Sequence, residues 1–119
     1  MFSKLKIILA IALLFTSSFA FSQAITATDN AKVLHVGAFG NQTVQGFPPG
    51  QIAMTLDRAV SNSGCSRASA AQVRWDGSTV SGQNALKVAL EAQRSGRLIY
   101  VQTLGCVNTY PHLWYLVIY

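Results

Sequence analysis

Two cysteines, two histidines and four carboxylates are the residues of this chain with the most chemistry to offer, and their spacing decides which chemistries are open. Cys65 and Cys106 are the only cysteines. A lone pair in an exported chain pairs as a disulfide by default. Such a bridge closes a loop of roughly 40 residues and contributes on the order of 4 kcal/mol, a large share of the net stability of a small domain. The rival reading is a zinc site of Cys65, Cys106, His35 and His112. It lacks the short C-x-x-C or H-x-x-x-H pairs that hold structural zinc, so no metal is expected. The carboxylates Asp29, Asp57, Asp76 and Glu91 stand far apart in sequence, with no neighbouring pair of the glycosidase kind. There is no G-x-S-x-G elbow, no H-E-x-x-H and no phosphate-cradling glycine loop. The pattern points away from an enzyme, and no cofactor is expected.

The aromatic residues carry more information. Trp75, Tyr100, Tyr110, Trp114, Tyr115 and Tyr119 are six of the eight aromatic residues beyond position 22, and all lie in the C-terminal half. A ring with a polar tip suits sugar stacking and protein contact alike. Tyr110, His112, Trp114 and Trp75 are the candidate ligand-binding residues. Core packing competes with that reading, most strongly for Tyr100 and Tyr115 in mid-strand. His35, inside an apolar strand, reads as structural, and His112 after Pro111 as exposed.

The elements that must position these groups follow from the hydrophobic period. Gln23 to Ala31 is polar and reads as a loose lead. From Lys32 the pattern turns to strand, and Val33, His35, Gly37 and Phe39 alternate with Leu34, Val36 and Ala38, so both faces carry apolar groups. Gly46-Phe47-Pro48-Pro49-Gly50 is a breaker. Gln51–Val60 and Ala71–Asp76 read as the second and third strands, the latter closed by an Asp76-Gly77 turn. The period then changes. Ser81–Ser95 reads as a helix with Ser81 as N-cap and Gly96 as the glycine beyond its C-terminus. Its residues Ala85, Leu86, Val88, Ala89, Leu90 and Ala92 span an arc of roughly 200°, wider than packing on one sheet requires. Leu98–Leu104 and His112–Tyr119 supply the fourth and fifth strands. The last strand has no polar face, which would suit a subunit interface.

The expected architecture is mainly β with one helix, an α+β chain in the order β-β-β-α-β-β. That is the order of a small five-stranded OB-like barrel. The same elements also suit a small open sheet with one helix across it.

The N-terminus bounds the setting. Lys4 and Lys6 precede the apolar run Ile7–Phe15, and small residues follow. This reads as a signal peptide over residues 1–22, with cleavage after Ala20, Ser22 or Ala24. A membrane-spanning helix needs about 20 apolar residues, and this run is shorter, so no membrane attachment is expected after cleavage. The mature part, residues 23–119, reads as a single domain, secreted or periplasmic. It keeps seven basic against four acidic residues. These are scattered rather than gathered in a stripe, which with export excludes nucleic acid as a partner. The triplet Asn41-Gln42-Thr43 matches a glycosylation acceptor and is taken as coincidence.

The stretch from Ala85 to Val117 resembles subtilase-cytotoxin-type B subunits, the pentameric glycan-binding subunits of bacterial toxins. The likeness rests on Ala92-Gln93-Arg94-Ser95-Gly96-Arg97 at the helix end, on Leu98-Ile99-Tyr100-Val101, on Thr109-Tyr110-Pro111, and on Cys65-Ser66 ahead of the third strand. It implies an OB-fold, a homo-oligomer such as a pentamer, and a glycan ligand. The sugar-contacting residues of that family do not align here residue by residue, so none is carried over. The alternative from a different class is a monomeric envelope protein that acts through protein–protein contact.

Overall fold

The computed structural model describes residues 25–40, 49–60 and 64–119. The signal segment, the Asn41-Gln42-Thr43 triplet and most of the Gly46–Gly50 turn lie outside the described residues. The chain forms β1 (Thr26–Ala31), β2 (Val33–Ala38), β3 (Gln51–Leu56), β4 (Gln72–Asp76), α1 (Val80–Ser95), β5 (Ile99–Val107) and β6 (Tyr110–Ile118). It is mainly β with one helix, as expected, but with six strands rather than five.

The added strand is β1, in the stretch expected to be a loose lead. Its sequence, TATDNA, has no large apolar residue, so it gives no hydrophobic alternation. It is held instead by small buried groups, Thr28 and Ala31, and by a Thr26–Thr103 hydroxyl pair at 2.7 Å. Between the pairs Thr28–Val101 and Ala31–Ile99, two residues of β1, Asp29 and Asn30, oppose one of β5, Tyr100. Asn30 takes the left-handed conformation there, φ 52°, which asparagine tolerates better than most residues. At the far end of the chain the Tyr119 hydroxyl donates to Asp29 and fastens β1 from the other side.

The six strands form one mixed sheet in the order β1-β5-β6-β4-β3-β2. All neighbours are antiparallel except β4 and β6, which run parallel and share a single registered pair, Arg74 with His112. Among the described residues no pairing joins the edge strands β1 and β2, so the expected barrel is not closed by a strand ladder. These two edges are nevertheless separated in the chain by Lys32 alone. A sheet whose opposite edges are one residue apart in the chain has to curl, bringing the end of one edge to the start of the other. Asp57 pins that corner: its carboxylate accepts from the Lys32 N–H at 2.9 Å, and its own N–H donates to the Lys32 carbonyl at 3.0 Å.

Val33, Met54, Leu56, Val73, Trp75, Ile99 and Val101 fill the interior of the curl, closed by Ala89 and Ala92 of α1. The helix begins one residue before the expected start and is capped by Thr79, whose hydroxyl accepts from the Gly82 N–H at 2.9 Å. Ser81, the expected cap, lies in the first turn. Gly96 ends the helix in the left-handed conformation, as its position in the sequence implies. Leu90, on the expected apolar arc, is exposed, and so is His35, contrary to the buried structural role read for it. The Cys65–Cys106 disulfide is formed and ties the loop before β4 to the end of β5. No helix among the described residues is long and apolar enough to cross a membrane.

Candidate functional site

The single registered pair between β4 and β6 has a geometric consequence. Beyond Arg74 and His112 the two strands are no longer paired, and the first three turns of α1 lie against the gap. A groove of about 470 Å³ opens there. Asp76 ends β4 on one side. Ser81, Asn84, Ala85 and Val88 face it from α1 at the i, i+3, i+4, i+7 spacing of one helix face. His112 to Leu116 form the opposite wall.

Two glycines allow close packing at this end of β4. A Cβ on Gly82 would stand 1.9 Å from the Asp76 carbonyl oxygen, and one on Gly77 would stand 2.8 Å from that of Gly50. The first turn of α1 can press against the end of β4 only because Gly82 has no Cβ, and the bare Gly77 lets the turn after β4 lie on Gly50 and Ile52 at the start of β3.

Trp75 forms the inner wall of the groove. It is buried, and its indole N–H donates to the Gly82 carbonyl at 2.9 Å, so its one polar group is spent on holding α1. Trp114 is its opposite. In the β5–β6 ladder Gln102 pairs with Tyr115 and Thr103 pairs with Leu113. Trp114 is therefore the extra residue of a β-bulge, a device that turns a side chain out of strict alternation. Its side chain is 59 % exposed, and that of the adjacent Tyr115 is 50 % exposed. Further along, between the pairs Thr103–Leu113 and Cys106–Pro111, two residues of β5, Leu104 and Gly105, oppose one of β6, His112, and Gly105 takes positive φ there.

The polar groups of the groove are of one kind: they make hydrogen bonds. Asp76 accepts at Oδ1 from the Ser78 N–H at 2.8 Å and from the Ser78 hydroxyl at 2.7 Å. These bonds, side-chain first, hold its carboxyl below the ordinary carboxylate range, and the nearby His112 adds slightly in the same direction. Asp76 thus stands at the groove as an anion and an acceptor. Among the described residues no three His, Cys, Asp or Glu gather in a way that could hold a metal ion.

Three of the four sequence candidates, Trp75, His112 and Trp114, are brought together in this groove. Tyr110 is not. It opens β6 rather than lying in the preceding loop, and it is 7 % exposed. The Arg74 guanidinium stacks on its ring at 3.9 Å and that of Arg67 lies 5.5 Å away. The Tyr110 hydroxyl also accepts from Arg67 Nη1 at 3.1 Å. Burial lowers the Arg74 pKa, Tyr110 opposes that fall, and the like charge of Arg67 adds to it. Arg74 is buried with both arms used, Nη1 toward Gln51 Oε1 at 3.1 Å and Nη2 toward Gln72 Oε1 at 3.0 Å.

Asp76, Ser81 and Asn84 are groove residues that sequence reasoning did not single out. The signal for Asp76 was present in the Asp76-Gly77 turn immediately before a helix start. Ser81 reads as the helix N-cap and Asn84 as a position on the polar side of the helix, and only the placement of α1 over the strand gap turns them toward a groove. No protein-family model matches the chain, and no match is found among curated proteins or solved structures.

Proposed function

We propose that this chain is an exported, non-enzymatic binding module, and that the groove between α1 and β6 is a carbohydrate site. The observation that carries the reading is the bulge at Trp114. It costs the ladder a regular pair and places an exposed indole at the rim of a groove furnished with hydroxyl, amide, imidazole and carboxylate groups. Sugars offer that combination in reverse, an apolar ring face bordered by hydroxyls, and aromatic faces take the ring while polar groups take the rim.

The barrel and oligomer readings belong to the same proposal. Counting β1 and β2 as two halves of one strand bent at Lys32 returns the five-stranded count of an OB-like barrel, with the helix between its third and fourth strands. The resemblance to toxin B subunits supports a homo-oligomer of pentamer type, secreted or retained in the periplasm. The exposed apolar groups Val80, Leu90 and Leu98 on and just beyond α1 are available to such contacts. A second reading, a monomer acting through protein contact, is favoured by the adjacent exposure of Trp114 and Tyr115, since aromatic residues are enriched in protein interfaces.

A glycan array followed by titration calorimetry tests the site. Binding that is lost in Trp114→Ala and partly kept in Trp114→Phe supports it. Absence of glycan binding by folded protein, or binding indifferent to Trp114→Ala, gives the site to a protein partner instead. Light scattering reads the assembly, and a clean monomer removes the oligomer from the proposal.

A further inference from the structure

We infer that the site does not end at the α1–β6 groove, and that its ligand is a chain of at least two linked sugar rings crossing Asp76 and His112. The inference rests on the carbohydrate reading and deepens it. A second hollow, of about 380 Å³, is lined by Pro49, Gln51, Ser78 and Val107 together with Asp76 and His112. The two hollows share those last two residues. Each has the volume of a small-ligand site, so the pair Asp76–His112 is the middle of one extended surface and not the end of a short one.

The chemistry changes along that surface in an order that fits linked rings. Trp114 gives an apolar face at one end. Val107 and Pro49 give a smaller apolar face at the other. Between them lie the polar groups. Asp76 is held in place by both Ser78 hydrogen bonds and stays ionised, so it accepts hydroxyls from rings on either side of it. Gln51 is 3 % exposed, and its Oε1 is occupied by Arg74. That bond commits the amide oxygen, so the end of the Gln51 side chain left to act as a donor is its NH2. A single ring stacked on Trp114 reaches Asp76 and His112 but leaves Gln51, Val107 and Pro49 unused.

The test is calorimetric titration of the full mature chain with glucose, galactose, mannose and N-acetylglucosamine, each as monosaccharide, homodisaccharide and homotetrasaccharide. The expected result is a gain in affinity of tenfold or more from one ring to two for the sugar that binds. Val107→Trp, which fills the second hollow and leaves the Trp114 end untouched, should erase that gain and leave monosaccharide affinity unchanged. Circular dichroism and thermal melting check that the variant folds, and Val107→Arg serves as a second blocking variant. Monosaccharide binding sensitive to Trp114→Ala but with no gain from a second ring overturns the extended site while leaving the carbohydrate reading standing. A gain that survives both blocking variants also overturns it. Failure of every sugar to bind folded protein removes both.

Discussion

Tyr110 and Trp114 lie on the same strand, and the fold uses them in opposite ways. Tyr110 is paired with Val107 at the start of a ladder and serves as a packing post between the guanidiniums of Arg74 and Arg67. Trp114 is the unpaired residue of a bulge and stands largely in solvent. Residue type does not separate them, since both are large rings with a polar tip. What separates them is the regularity of the ladder. Where the ladder is regular the ring enters a packed site, and where it slips by one residue the ring is freed for contact with something else.

The largest effect that could break this comparison is on stability. Tyr110→Ala should cost about 3–5 kcal/mol, the range for removing a buried aromatic ring, and it also leaves two guanidiniums facing a void. Trp114→Ala should stay within about 0.5 kcal/mol, as an exposed substitution does. Urea denaturation of both variants measures the difference, and comparable losses would show that the two rings are held alike.

The disulfide sharpens it. Cys65–Cys106 ties the Tyr110 end together: the loop it anchors carries Arg67, whose N–H also donates to the Thr109 carbonyl at 2.9 Å. Replacing both cysteines with serine should cost about 2–4 kcal/mol. Hydrogen exchange should quicken first around residues 64–71 and 105–110, while the bulge at Trp114 keeps its protection. Uniform loosening along β6 would show that the two ends are not separately held.

The smallest effect is on pH. Asp57, held down chiefly by the Lys32 N–H, and Asp76, held down by Ser78, both have folded pKa values below the ordinary carboxylate value. Their contribution is fully present above the unfolded value and is lost as pH falls through the lower folded values. Stability should therefore be level from neutral pH to about pH 5 and decline below about pH 4. Asp57→Asn, at the Lys32 corner, should flatten that decline more than Asp76→Asn at the groove. Melting temperatures across that range give the comparison.

Much of the fold can be read from the chain alone, because its signals are local. The shift from period two to the helical period marks α1, and Gly96 marks its end. Cys65 and Cys106 have only each other to pair with. The polar strand β1 escapes that reading because it is stabilised by Thr28, Ala31 and its partner β5 rather than by large apolar residues of its own. The cap is misplaced by two residues because Thr79 and Ser81 are both competent, and only the fit of Gly82 against the Asp76 carbonyl selects Thr79.

The candidate site divides in the same way. Its aromatic content was legible, and three of its four sequence candidates share one groove. Sequence by itself determined which residues could stack, donate or accept. Tertiary structure decided which of them face the groove, because a bulge is a mismatch of length between two strands and a groove is the space left where two strands part. Neither property belongs to any one segment. Trp114 is turned outward by its register with β5, Asp76 is brought near His112 by the parallel pairing of Arg74 with His112 two residues earlier on β4, and Tyr110 is drawn inward by arginines that lie far from it in the chain.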